Sequence, residues 1–137
     1  MSLFKVFDIA GSGMSAQSVR LNTTASNLAN ANSVSTTEEE AYRSRQPVFQ
    51  TALERAGSSG ASAGVRVLGV VESDATPQRL YEPGNPLADE QGYVYKSNVN
   101  IAEEMANMIS ASRSFQNNIE VLNTSKDLML RTLNLGR

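Results

Sequence analysis

Two pairs of carboxylates, Glu72 with Asp74 and Asp89 with Glu90, are the side chains that could carry acid–base chemistry in this chain. Such chemistry needs one acid and one base held at a fixed separation. A spacing of one or two residues among turn formers supplies no such geometry, so these acids read as turn residues. Histidine and cysteine are both absent, which removes disulfides, thiol chemistry, the usual transition-metal ligands and the commonest general base. Gly11-Ser12-Gly13 and the tract from Gly57 to Gly64 lack the lysine and flanking pattern of a phosphate loop. The sequence therefore implies no catalytic residue, no metal and no cofactor. What remains is hydrogen bonding and ion pairing. Asn27, Asn30, Asn32, Asn107, Asn117, Asn118 and Asn123 carry amides that both donate and accept; composition alone makes them solvated polar positions. Arg113 and Glu120 stand seven apart, and an exposed pair of that kind contributes under about 1 kcal/mol.

The elements that must position these residues are two helices. From Asn98 to Gly136, Ile101, Met108, Phe115, Leu122 and Met129 recur every seventh residue, with a second row offset by four, Met105, Ile119 and Leu133. Positions i, i+4 and i+7 share one helical face, so the spacing predicts a single long amphipathic helix. Asn100 is suited to cap its start, Glu103 and Glu104 suit the positive end of the helix dipole, and Gly136 is a natural stop. At 1.5 Å per residue that helix would be roughly 50 Å long, more than a small globular core requires. A second seven-residue repeat, Phe7, Met14, Leu21 and Leu28, marks a helix from residue 3 to about 31. The two repeats predict a mainly α fold: an antiparallel coiled coil of long N- and C-terminal helices with a small β-rich insert between them. Its parts are an N-terminal helix over 1–32, a loop and β element over 33–97, and a C-terminal helix over 98–137. Gly11 and Gly13 leave alternatives open: regular helix begins near Ser15, or the glycines mark a tight contact or a flexible joint.

Between the helices the composition changes. Ser33 to Glu40 is polar and reads as loop. Gln46 to Leu53 fits a strand restricted to an edge by Pro47. Gly57 to Gly64 reads as a flexible tract. Val65-Arg66-Val67 and Val70-Val71 form a strand with a bulge at Gly69, and Pro77 to Tyr81 is expected to pair with it. Pro83-Gly84-Asn85-Pro86 and Asp89 to Gly92 are turns, and Tyr93-Val94-Tyr95 is a last extended piece.

Net charge bounds the partners. Twelve basic and 14 acidic residues leave a formal charge of −2, which argues against nucleic acid or an anionic membrane as the main partner. No run of eighteen apolar residues offers a membrane span, and Met1 to Asp8 lacks the pattern of a cleavable secretory signal. A single helical hairpin leaves faces uncovered, so the terminal helices are expected to complete their folding on partner subunits.

Phe7-Asp8-Ile9-Ala10-Gly11-Ser12-Gly13 followed by Ala25-Ser26-Asn27-Leu28-Ala29-Asn30-Ala31-Asn32 resembles the N-terminal signature of bacterial flagellar axial proteins. Glu72-Ser73, Tyr81-Glu82-Pro83-Gly84-Asn85-Pro86, Gly92-Tyr93-Val94, Asn98-Val99-Asn100 and Glu104-Met105 narrow the resemblance. So do Ser112-Arg113-Ser114-Phe115-Gln116, Asn118 to Thr124 and Leu133-Asn134-Leu135-Gly136. Together they look like the proximal-rod members of the flagellar basal-body rod family, nearly end to end. After the asparagines, Val34-Ser35-Thr36-Thr37 and Glu38 to Glu40 stand where many members carry a Thr-Pro-Gly or Val-Gly step. The resemblance implies a structural subunit exported by the flagellar type III apparatus without a cleavable signal. It would stack helically into a torque-transmitting rod across the periplasm. The implied partners are further copies of itself, other rod subunits, the rod-to-ring junction protein and the rod-cap protein, with no nucleic acid and no direct membrane insertion. Under that resemblance the seven asparagines, Arg113 and Glu120 become candidates for subunit contacts. The heptad residues, from Phe7 to Leu28 and from Ile101 to Leu133, are expected to pack within the chain first. The competing class is a monomeric coiled-coil adaptor or export-linked chaperone binding a client through the same helices.

Overall fold

A computed structural model describes residues 3–54 and 62–135. The first helix, α1, spans Leu3–Asn30 and runs unbroken through both glycines. Gly13 is the tight contact among the alternatives left open by the sequence: a Cβ there would stand 3.0 Å from the Asn118 amide nitrogen, whereas one at Gly11 would meet nothing within 4 Å. The Asn30 carbonyl accepts from both the backbone N–H and the hydroxyl of Ser33, which ends α1. The closing helix, α2, spans Ile101–Leu135. Asn100 caps it, its Oδ1 accepting the backbone N–H of Ala102 at 3.1 Å and of Glu103 at 3.4 Å. The expected stop at Gly136 lies outside the described residues.

The helices run antiparallel. Arg20 of α1 donates to the Asn107 side chain of α2 at 3.0 Å, and Gly13, two turns earlier in α1, meets Asn118, three turns later in α2. This is the mainly α arrangement with a β insert that the two repeats predict.

Among the described residues the insert contains five strands in two sheets. β1 (Val34–Ser35), β5 (Tyr93–Lys96) and β4 (Gln78–Tyr81) form an antiparallel sheet in the order β1-β5-β4. β2 (Arg45–Glu54) and β3 (Ser62–Glu72) form a separate antiparallel hairpin. Pro77 to Tyr81 therefore pairs with β5, not with the Val65–Val71 strand as expected. The Pro83–Pro86 and Asp89–Gly92 turns fold β4 back onto β5 and bring Tyr81 opposite Tyr93. Gly92 makes this possible, with φ +82 and no room for a side chain between Tyr81 and Pro83. The hairpin register shifts between Val48 and Phe49, which leaves Leu68 as the extra residue beside the Gly69 expected at the bulge. Of the glycine-rich tract, Ser62 to Gly64 belong to β3, and its earlier part lies outside the described residues.

α1 packs against both α2 and the hairpin, and Gln46 of β2 reaches Glu104 of α2 beside it. The buried apolar side chains are small: Ala10, Ala16, Ala31, Ala41, Val94 and Ala111. The accessible surface is 9303 Å². A compact monomer of 14.8 kDa would expose about 7,000 Å². The difference is of the size that obligate subunit interfaces bury.

Candidate assembly surface

Asn27 is the most constrained of the seven asparagines. It is fully buried. Its Nδ2 donates to the Arg45 carbonyl at 2.8 Å, and its Oδ1 accepts the Arg45 N–H at 2.9 Å and the Tyr42 hydroxyl at 3.0 Å. Offered as a candidate for subunit contact, it uses its polar atoms inside the single chain, tying α1 to the hairpin. Asn30 donates to the Ser26 carbonyl within α1, and Asn107 accepts from Arg20 across the helix pair. Asn118 is half-buried against Gly13. Asn32, Asn117 and Asn123 are exposed, as are Arg113 and Glu120. Arg43–Glu38, Arg45–Glu72 and Arg79–Asp89 are ion pairs among the described residues, and Arg113 and Glu120 do not pair with each other.

The heptad residues divide into two groups. On α1, Phe7, Met14, Leu21 and Leu28 are half-buried, beside the inner row Ala10, Gln17, Thr24 and Ala31. On α2, Met108, Phe115, Leu122 and Met129 are half-buried. Their companion row lies three residues on and is small or polar: Ala111, Asn118 and Ser125, extending back to Glu104. Glu104, Ala111 and Ser125 are buried. The row expected beside the seam, Met105, Ile119 and Leu133, is instead exposed, and so is Ile101. At 100° per residue the exposed row lies about 100° around α2 from the face toward α1. Ile109 and Leu130 extend it, and Met105 and Ile109 are each 54% exposed. α2 thus carries two adjacent apolar stripes, one covered and one open. The hairpin adds Phe49, Val65, Leu68, Val70 and Val71 to the open apolar surface. Exposed apolar side chains gathered in this number mark interaction surfaces.

Sequence reasoning missed three polar positions. Glu104 is 3% exposed; its Oε1 accepts from Gln46 Nε2 at 2.9 Å, while Oε2 is buried without a partner, as is Gln17 Oε1. The signal for its burial was the spacing of Glu104, Ala111, Asn118 and Ser125, which hydropathy conceals. Asn98 joins two loops, accepting the Ser44 N–H and donating to the Ala75 carbonyl, both at 2.7 Å. Ser12 donates to the Ile9 carbonyl and accepts the Val65 N–H of β3 at 3.0 Å.

Of the carboxylates weighed for acid–base work, Glu72 and Asp89 have structural partners. Glu72 receives two hydrogen bonds from Arg45, and Asp89 Oδ1 accepts the backbone N–H groups of Gln91 and Tyr93. Among the described residues no group of acids forms a metal-binding cluster, and no helix is long and apolar enough to cross a membrane.

Residues 7–35 match the family described as flagella basal body rod protein, and residues 90–135 match the C-terminal family of flagellar basal body rod FlgEFG proteins. Over 137 residues, covering all of both chains, the protein is 55% identical to the flagellar basal-body rod protein FlgC of Salmonella typhimurium. It is 54% identical to that of Escherichia coli O157:H7 and 53% identical to that of Yersinia enterocolitica, again over the full length of both chains.

Proposed function

The chain belongs to the flagellar basal-body rod protein family, and from that premise we propose that it builds the proximal part of the rod by helical stacking of its terminal helices. It is a structural subunit of the rod and not an enzyme. The observation that carries the finer reading is the second apolar stripe of α2, from Met105 to Leu133, left open by α1. A helix with two adjacent apolar faces is satisfied only when flanked on both. Coiled-coil packing of the 1–32 and 98–137 segments is then completed by helices of neighbouring subunits, with the 33–97 insert outside that helical layer. The exposed polar residues Asn32, Asn117, Asn123, Arg113 and Glu120 border these contacts, and Asn30, Asn107 and Asn118 sit at their margin.

In this reading the neighbours are copies of this chain, other rod subunits, the rod-to-ring junction protein and the rod-cap protein, and the assembly transmits torque across the periplasm. Export through the flagellar type III apparatus suits a helix pair whose buried residues are mainly alanine, serine and threonine. Such a seam buries little apolar area and opens at low cost.

Cryo-electron microscopy of detergent-extracted basal bodies tests the proposal. The expected result is density for this chain in the proximal rod, with α1 and α2 in the inner wall and the 105–133 stripe against a neighbour's helix. Its absence from an otherwise complete rod, with a soluble one-to-one complex in its place, would refute the reading and favour an adaptor.

A further inference from the structure

We propose that Asn27 is a positioning residue: its side-chain amide takes the place of a third strand on the edge of β2 and, together with Ser12, sets the angle at which the hairpin lies on α1. In an antiparallel ladder successive residues point their N–H and C=O groups alternately toward and away from the partner strand. The Ser44 carbonyl accepts the Ser73 N–H at 2.8 Å, so the next residue, Arg45, directs both backbone groups outward. Asn27 meets them both, donating to the carbonyl at 2.8 Å and accepting from the N–H at 2.9 Å, as a neighbouring strand would. Pro47, the next outward position, has no N–H to offer, so the first part of this edge is closed to pairing with another chain. The opposite edge is met from the same helix. Val65 of β3 points its N–H outward, and Ser12 Oγ accepts it at 3.0 Å. Gly64 beside it leaves the room: a Cβ there would stand 3.0 Å from that oxygen.

The dimensions agree. Ser12 and Asn27 are separated by about 22 Å along a helix. Val65 pairs with Thr51, and from Arg45 to Thr51 an extended strand covers about 20 Å. The hairpin therefore runs nearly alongside α1, crossing it from the β2 edge at Asn27 to the β3 edge at Ser12. Two fixed points on opposite edges determine an angle; one would leave a pivot. The Asn27 side chain is buried and both its nitrogen and its oxygen are hydrogen-bonded within the single chain, so this orientation needs no neighbour.

The chain has no cysteine, so paired spin labels can be placed without background. Labels at Arg66 on β3 and Gln116 on α2 report the hairpin angle; labels at Ser18 and Gln116, all three sites being exposed, report the helix pair. In purified full-length protein, Asn27→Ala is expected to broaden the 66–116 distance distribution at least twofold and to speed exchange of the Arg45 amide more than tenfold, with the 18–116 distance unchanged. Ser12→Ala broadens the hairpin distance as well. Asn27→Asp keeps the acceptor but cannot donate to the Arg45 carbonyl, and gives an intermediate width. An unchanged hairpin distance in Asn27→Ala overturns the assignment. If Asn27→Ala also loosens the helix pair, Asn27→Asp decides: a broadened hairpin distance with the helix pair kept supports the assignment, and any other result overturns it.

Discussion

Replacing Met105, Ile109 and Ile119 together by glutamine separates the role of the open stripe on α2 from that of the covered one. These residues are 54%, 54% and 39% exposed in the single chain. Full burial of such a side chain stabilises by about 1.5–3 kcal/mol, so covering what is still exposed on the three adds about 2–4 kcal/mol per copy. That corresponds to a loss of about 30- to 700-fold in contact affinity when the stripe becomes polar. Glutamine is a strong helix former and isoleucine a weaker one, so the substitution does not penalise the helix itself. The purified triple variant should still fold, with its melting point by circular dichroism lowered by less than about 10 °C, because the three side chains are only about half covered in the single chain and glutamine keeps part of that cover. In cells the same variant should be made and exported at normal levels but be missing from isolated basal bodies on quantitative immunoblots, with motility lost. Normal incorporation would refute the reasoning, since a polar stripe would then serve as well as an apolar one. A melting point lowered by more than about 10 °C would refute it differently, by showing that the stripe is packed within the chain.

Other substitutions probe single features. Gly92→Ala places a Cβ 2.9 Å from the Tyr81 ring at φ +82; it should cost about 1–3 kcal/mol in urea unfolding, with loss of amide protection confined to the β4–β5 sheet. Asn100→Ala removes the two cap hydrogen bonds of α2 and should cost about 1 kcal/mol by thermal melting. Gly13→Ala gains about 1 kcal/mol of helix propensity but crowds the Asn118 amide, so it should be near neutral alone and stabilising by about 1 kcal/mol in an Asn118→Ala background. A double-mutant cycle measures that coupling, and strict additivity would remove the Gly13–Asn118 contact from the argument.

The parts of the molecule legible in the sequence are those that local chemistry decides. Seven-residue spacing announces a helix wherever it occurs, Asn100 is recognisable as a cap, and Pro83-Gly84-Asn85-Pro86 can only turn. The absence of histidine and cysteine narrowed the chemistry before any fold was considered. The tertiary structure decided how these pieces use their faces. Hydropathy placed Met105, Ile119 and Leu133 beside the seam, yet the row toward α1 is Glu104, Ala111, Asn118 and Ser125, because two helices approach most closely where side chains are small. Met105, Ile119 and Leu133 are thereby left outside, for another surface to cover. β4 pairs with β5 and not with β3, although the link from β3 is the shorter, because β2 already pairs with β3 and the turns at Pro83–Pro86 and Asp89–Gly92 fold the longer link back onto β5. Asn27 shows the limit most clearly. Its sequence neighbours mark it as a contact residue, but only the fold brings Arg45 to it, and an amide hydrogen-bonds whichever backbone the chain places within reach.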